Sequence, residues 1–194
     1  GYFGWQTWTD YNAEQASAAS LTYQEMLDNF DSLNPGETLT EETQIAVNLL
    51  ADKLKAEYSG TQYAVYAALT KAKLAVEAND LDAAVSELQW AMDNADEVSA
   101  FVARLRLARV EAARGDLDKA LQLVQGIDAG EMKSAFEEAK GDFYLEQGNS
   151  AAAYTAYQSA LAIEATGDNS VRALLELKIG LVQPVEPEEP ATEQ

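Results

Sequence analysis

The chain has 194 residues, a formal net charge of -20 at pH 7, and neither cysteine nor histidine. These absences exclude disulfide bonds, serine–histidine and cysteine–histidine catalysis and the usual zinc sites. The negative charge argues against nucleic acid as a partner, which needs a basic footprint. Because 47% of the residues are hydrophobic and they fall in helical register, the composition indicates a folded, acidic protein.

Four aromatic residues lie within the first eight positions, Gly1–Trp8. Tyr and Trp concentrate where a membrane span meets water, and basic residues flank spans on the cytoplasmic side. No lysine or arginine follows until Lys53, whereas nine acidic residues do. The pattern favours a membrane span upstream of Gly1, with residues 1–8 at its outer end. The alternative is that Trp5 and Trp8 close a helix against the core.

Apolar residues at spacings of three and four predict helices along most of the chain, since proline is absent from Gly36 through Gln183 and no strand pattern occurs. Residues 9–60 are expected to form two N-terminal helices, over 9–30 and from about 40 to 58, around the break at residues 34–36. For the second helix, Thr40 with Gln44 makes an imperfect capping box, one position too long, whereas the spacing of Thr38 and Glu41 fits one.

Further helices are predicted over 61–78, 81–94, 97–114, 117–125, 131–147, 150–164 and 169–179. An Asn or Ser is expected to cap the last of them. Residues 181–194, rich in proline and glutamate, are predicted to be a disordered acidic tail.

One short phrase recurs three times, at intervals of 36 and 33 residues: Asn79-Asp80-Leu81, Gly115-Asp116-Leu117 and Gly148-Asn149-Ser150. Each copy separates two apolar-periodic stretches and therefore predicts the tight turn of a helical hairpin. A period near 34 residues is typical of tetratricopeptide repeats, whose hairpins stack because none buries its apolar face alone. We therefore predict an all-α, tetratricopeptide-like solenoid. It consists of N-terminal helices over residues 9–60, followed by three repeats and a C-terminal capping helix over residues 61–180.

The repeat pattern is kept best in the third copy, where Gly141, Ala153 and Ala160 supply small residues for helix crossings. The second copy instead has Glu111 where an aromatic residue is usual. Four of the five arginines fall within eleven residues: Arg104, Arg106, Arg109 and Arg114.

Repeat register places Arg106 and Arg109 on the inner, concave helix of the second hairpin, and Lys73 at the equivalent of Arg109 in the first. Cations there can hold an acidic side chain through bidentate bonds. The alternative is that the arginines pair with neighbouring glutamates: Glu77, Glu111 or Glu138. The tyrosine pairs Tyr63–Tyr66 and Tyr154–Tyr157 are typical of packing between hairpins, although Tyr66 is expected on the concave side. The predicted partner-binding residues of the concave face are Tyr66, Thr70, Lys73, Arg106 and Arg109.

No catalytic, cofactor or metal site is predicted. Adjacent acidic residues diverge by about 100° on a helix and do not make an acid–base pair. Residues 31–42 have the outline of a calcium loop, but Leu33 and Pro35 supply no side-chain oxygen at two ligand positions.

Longer strings point to one family. They are Gly4-Trp5, Ser17-Ala18-Ala19-Ser20-Leu21-Thr22-Tyr23-Gln24, Leu105-Arg106-Leu107-Ala108-Arg109-Val110, the turn at Gly148, and Leu177-Lys178-Ile179. On these strings the chain resembles the YfgM family, ancillary subunits of the bacterial SecYEG translocon. The resemblance implies a single-pass inner-membrane protein with this domain in the periplasm. It also implies two partners, SecYEG and a membrane-anchored periplasmic chaperone of the prolyl-isomerase type (PpiD).

The expected function is a non-enzymatic scaffold for the translocon and its chaperones, with exported polypeptides as a further candidate partner. The alternative is a holdase-like chaperone that binds unfolded clients directly. A carboxylate enzyme is a third hypothesis, which needs a close, buried pair of carboxylates in a deep pocket.

Overall fold

The structure, a computed structural model, describes residues 2–31, 39–164 and 168–183. These ranges contain nine α-helices, one 3₁₀ turn at Gly130–Met132 and no strand, so the predicted all-α class is confirmed. The helices are α1 (Tyr2–Asp31), α2 (Glu41–Glu57), α3 (Gln62–Glu77), α4 (Leu81–Asn94), α5 (Glu97–Ala113), α6 (Leu117–Val124), α7 (Lys133–Glu146), α8 (Ser150–Ile163) and α9 (Asn169–Val182). Along the described ranges, we find no helix with the length and apolar character that a membrane crossing requires.

Several predicted helix ends are wrong. Helix α1 begins at Tyr2 rather than at residue 9, because no proline interrupts the segment. The cap of α2 is Thr40, whose hydroxyl accepts the Thr43 amide at 3.2 Å. The favoured candidate, Thr38, lies outside the described residues, as do the break at residues 34–36 and the chain from residue 184 onward.

Helix α9 is capped by Asp168 rather than by Asn or Ser. The Asp168 carboxylate accepts both the amide and the hydroxyl of Ser170, at 2.8 and 2.5 Å. These hydrogen bonds hold the pKa of Asp168 below its usual range. The helix then continues to Val182, three residues beyond its predicted end.

The three recurring phrases form the same turn, as predicted. The first residue of each adopts a left-handed conformation, with φ of 57° at Asn79, 87° at Gly115 and 79° at Gly148. The next amide bonds back to the carbonyl five residues earlier, at 2.8–2.9 Å: Asp80 to Ala75, Asp116 to Glu111 and Asn149 to Tyr144. This is the pattern of a Schellman motif, which pairs carbonyls that a helix end would otherwise leave without partners.

The second residue of each phrase caps the following helix. The side chains of Asp80, Asp116 and Asn149 each accept the amide three residues onward, at 3.0, 3.1 and 3.1 Å. One helix thus ends and the next begins within two residues. In two of the hairpins the helices pack directly on each other, α3 on α4 and α7 on α8.

The chain divides into two compact units, Gly1–Val110 and Glu111–Gln194. In the first unit, small residues that are fully buried lie in one core with Met26 and Leu54. They are Ala19, Ala51, Ala64 and Ala67. Alanine at these positions lets α1, α2 and α3 approach closely, while the larger side chains fill the remaining space.

Ion pairs tie α2, α3 and α4 together beside this core. Lys55 contacts Glu87 at 2.6 Å, and Lys71 contacts both Asp52 at 2.6 Å and Glu87 at 3.1 Å. Burial lowers the pKa of Lys71, but hydrogen bonds to Asp52 and Glu87 outweigh it and raise the pKa overall. Both lysines of the network therefore have carboxylate partners within the protein.

The second unit is organised around the contact between Gly141 on α7 and Tyr157 on α8. A β-carbon at Gly141 would lie 2.4 Å from the Tyr157 ring, so only glycine leaves room for that ring. The Tyr157 hydroxyl donates to Asp142 at 2.8 Å. Lys178 of α9 reaches Glu138 and Asp142 at 2.7 Å each, and its ammonium lies 5.5 Å from the centre of the Tyr157 ring. One cluster therefore joins three helices.

We predict that Gly141→Ala lowers the free energy of unfolding by about 1–3 kcal/mol, because the added methyl group overlaps the buried Tyr157 ring. Gly180→Ala is the matched control, since a β-carbon there meets no atom within 4 Å. It should stabilise α9 by about 0.5–1 kcal/mol through helix propensity. Urea unfolding followed by circular dichroism checks both values. Equal effects of the two substitutions would contradict the steric explanation.

Alkaline pH is predicted to destabilise the second unit through Tyr157. Burial, followed by the hydrogen bond to Asp142, raises the pKa of this phenol above its ordinary value near 10. Above pH 10 the unfolded chain releases this proton while the folded chain keeps it, so stability falls as pH rises, by up to about 1.4 kcal/mol per pH unit. Lys178 acts in the same direction: burial lowers its pKa, but hydrogen bonds to Asp142 and Glu138 raise it overall.

The measurement is the free energy of unfolding between pH 8 and pH 11.5 in the wild type and in Tyr157→Phe. The variant should lose part of the alkaline slope. Tyr154→Phe, on the same helix, is the control and should keep it. Identical slopes in all three proteins would refute the role of Tyr157.

Candidate functional site

Two adjoining cavities in the first unit form the candidate site, which we call the groove. The first, the apolar cavity, has a volume of about 400 Å³. Its walls are Leu69, Ala72, Lys73, Val76, Glu77, Leu88, Arg106, Arg109 and Val110. The second, the tyrosine cavity, has a volume of about 210 Å³ and is lined by Tyr23, Tyr66, Leu69, Thr70, Lys73 and Arg106.

All five predicted partner-binding residues line the groove. Tyr66 and Thr70 line the tyrosine cavity, Arg109 lines the apolar cavity, and Lys73 and Arg106 line both. Repeat register brings them together because α3 and α5 present equivalent positions, and Lys73 and Arg109 each lie six residues before the left-handed residue of their turn. Their role in binding a partner stays a prediction.

The cations of the groove have little carboxylate compensation. Lys73 lies 3.6 Å from Glu77, but both side chains are more than half exposed, at 67% and 53%, so this pair contributes little. Among the described residues, no salt bridge includes Arg104, Arg106 or Arg109. Arg106 and Arg109 are exposed, so their guanidinium groups are accessible from solvent.

One arginine of the cluster, Arg114, does pair with a neighbouring glutamate, which was the alternative to ligand binding. Glu111, which is fully buried, receives Arg114 at 2.8 Å and Lys119 at 2.5 Å. Glu138 pairs with Lys178 instead of an arginine. Glu111 replaces the usual aromatic residue of the repeat, and its two cations neutralise the buried charge.

Tyr23 belongs to the groove, although the sequence did not indicate it. Its ring centre lies 5.6 Å from that of Tyr63 and 6.0 Å from that of Tyr66. Burial raises the pKa of the Tyr23 phenol, and Tyr66 adds to the shift. The spacing of Tyr23 from Met26 and Phe30 on α1 indicates a core position, and only the packing of α1 on α3 brings it to the groove.

Two larger cavities in the first unit lack free cations. One, of about 680 Å³, lies between α1 and the α2–α3 turn, and the charged residue among those that line it is Glu57. The other, of about 500 Å³, contains Asp52, Lys71 and Glu87, which already pair with one another. Size alone favours these cavities, but the groove combines an apolar floor with cations that have few partners in the protein.

The groove is suited to binding rather than to catalysis. Its ionisable groups are cations, tyrosines and Glu77, with no carboxylate pair. Glu138 and Asp142 do converge in the second unit, but the Lys178 ammonium neutralises both. In the part of the chain that the structure describes, no group of three or more acidic residues has the geometry of a metal site.

Comparison with known proteins identifies the family. The sequence profile of the tetratricopeptide repeat-like domain matches residues 1–183. Ancillary SecYEG translocon subunits are similar to this chain. That of Aggregatibacter actinomycetemcomitans is 32% identical over 161 residues, covering 82% of this chain and 74% of the relative. That of Haemophilus influenzae is 29% identical with the same coverage. That of Escherichia coli is 27% identical over 177 residues, covering 91% and 80%.

Among solved structures, none matches the chain. The matched regions nevertheless confirm the predicted tetratricopeptide-like architecture and the resemblance on which the predicted partners depend. The chain therefore belongs to the tetratricopeptide repeat-like family of ancillary SecYEG translocon subunits.

Proposed function

We propose that this chain is a non-enzymatic scaffold that associates with the SecYEG translocon and binds its partners through the groove. The observation that carries the proposal is the groove itself: three cations with little internal compensation surround an apolar floor in a chain of net charge -20. Family membership supplies the setting, since the relatives are named as ancillary translocon subunits.

In the proposed arrangement the domain lies in the periplasm, anchored in the inner membrane by a single span upstream of residue 1. The aromatic residues among positions 1–8 and the absence of basic residues before Lys53 support this orientation. The proposed partners are SecYEG, a membrane-anchored prolyl-isomerase-type chaperone (PpiD), and exported polypeptides as they emerge.

Preformed walls make the groove suitable for this role. Most of its residues lie on α3 and α5, and a hairpin turn fixes where each of these helices ends. Ion pairs also hold α2, α3 and α4 together. A rigid surface loses little conformational entropy on association, so more of the contact energy appears as affinity. Arginine adds a planar fork of donors that matches a carboxylate.

A second candidate function is that of a holdase, and a separate feature of α9 favours it. Leu174, Leu177 and Leu181 lie on one face of this helix and are 45%, 63% and 75% exposed. The opposite face, with Leu175, Ile179 and Val182, packs into the core of the second unit. Exposed apolar stripes of this kind are typical of surfaces that bind other proteins.

Site-specific crosslinking in membranes tests the scaffold. Photoreactive residues at Tyr66 and Arg106 should capture translocon or chaperone subunits, because both positions line the tyrosine cavity. The matched control is Gln89 on α4, which is exposed and lines neither cavity of the groove. Capture from Gln89 alone would place the partner on another surface and overturn the assignment.

Light scattering of a heat-denatured model client separates the two functions. A scaffold should leave the aggregation rate unchanged at equimolar protein. A holdase should slow aggregation, and Leu174→Gln with Leu177→Gln should remove that effect because the apolar stripe is lost. Suppression of aggregation by the wild type but not by this double variant would favour the holdase.

A further inference from the structure

We propose that the groove recognises a short partner segment in which an acidic residue lies between two apolar residues. This inference rests on the proposed function, because it specifies the kind of segment that the scaffold binds. It follows from how the two cavities share their walls, from the chemistry of each floor and from the charge between them.

The two cavities meet along Leu69, Lys73 and Arg106, which line both. The shared cations therefore lie at the junction, whereas the other lining residues lie to either side. A segment with one side chain in each cavity passes over this junction. Successive side chains of an extended strand point to opposite faces, so the bound segment must bend at its centre. In that bent conformation the residue between the two side chains meets Lys73 and Arg106.

The floor of each cavity defines the flanking residues. Leu69, Ala72, Val76, Leu88 and Val110 make the larger cavity predominantly apolar. The smaller cavity presents the rings of Tyr23 and Tyr66, which suit an aromatic or aliphatic side chain. The apolar cavity, at about 400 Å³, lies in the lower part of the ~300–1,000 Å³ range of small-molecule sites, and the tyrosine cavity, at about 210 Å³, lies below it. Cavities of this size admit side chains rather than a folded surface.

Charge selects the central residue. Lys73, Arg106 and Arg109 face one carboxylate of the groove, Glu77, so the site is locally cationic. An acidic residue gains charge-assisted hydrogen bonds from guanidinium and ammonium groups, whereas a basic residue is repelled. Since these groups are exposed, each pair is modest, and we expect the sign of the central charge to change affinity by about 10-fold.

Charge also excludes two other occupants. A second copy of the chain carries the same net charge of -20 and is repelled over most of its surface. An anionic lipid surface is disfavoured for the same reason, and a head group leaves the apolar floor uncovered. A segment of a partner protein supplies both the carboxylate and the apolar side chains.

Isothermal titration calorimetry with synthetic peptides tests the proposal on the whole chain. Three acetylated and amidated 12-residue peptides differ only at their centres, which read Leu-Glu-Phe, Leu-Lys-Phe and Ser-Glu-Ser in a Gly-Ser background. Blocked ends ensure that the central Glu or Lys is the only charged group of each peptide. The Leu-Glu-Phe peptide should bind about 10-fold more tightly than either of the others, and its affinity should fall as salt is raised.

Variants assign the effect to the groove. Arg106→Ala with Arg109→Ala should reduce binding of the Leu-Glu-Phe peptide to the level of the Leu-Lys-Phe peptide. Arg104→Ala is the matched control, because Arg104 belongs to the same cluster but lines neither cavity of the groove. Val76→Ser should weaken the Leu-Glu-Phe peptide and leave the Ser-Glu-Ser peptide unchanged. Circular dichroism verifies that each variant is folded.

Three results would overturn the inference: equal affinity for the Glu and Lys peptides, an unchanged affinity in the double arginine variant, or equally tight binding of a peptide copying residues 183–194. The last would make the chain's own acidic sequence the occupant. If crosslinks from Tyr66 and Arg106 to the translocon persist while all peptides fail, only this inference is wrong. If both are absent, the groove is not the binding surface.

Discussion

The hairpin turn is the constraint on which the rest of the structure depends. Its left-handed residue ends one helix, and the next residue caps the following helix, so register is counted from this point. Six residues before the left-handed position lie Lys73, Arg109 and Asp142 in the three repeats. The same position is therefore cationic in the groove and anionic in the second unit, where Asp142 binds Tyr157 and Lys178. The turn fixes the position of the side chain six residues before it. The sign of the charge at that position differs between the groove and the second unit.

Most of the few positive charges are paired with carboxylates within the protein. Lys55 and Lys71 are held by carboxylates in the first unit, and Lys178 is held in the second. Glu111 takes Arg114 and Lys119 in the same way. An aromatic residue at position 111 would have left those two cations without this partner. The departure from the repeat pattern thus pairs Arg114, at the end of the arginine cluster, with Glu111. Arg106 and Arg109, which line the groove, form no salt bridge among the described residues.

Much of this arrangement was predictable because it depends on local spacing. The recurring phrase predicted the three turns, and register predicted five residues that line one groove. Tyr23 was missed because its place depends on how α1 packs against α3, a contact between residues far apart in sequence. The Asp168 cap was missed, and Thr38 was favoured over Thr40, because several side chains near each helix start can accept an amide, and only the backbone path selects one. The cluster of Lys178 with α7 likewise depends on tertiary contact.

The absence of a side chain at Gly141 has a consequence for the evolution of the family. A lineage that enlarges residue 141 must displace or give up the ring at 157, because the two occupy the same space. Without that ring, Asp142 loses its phenol donor and Lys178 loses the aromatic face beside its ammonium. Substitutions should therefore co-vary, among the members of this family, at the four contacting positions 141, 142, 157 and 178.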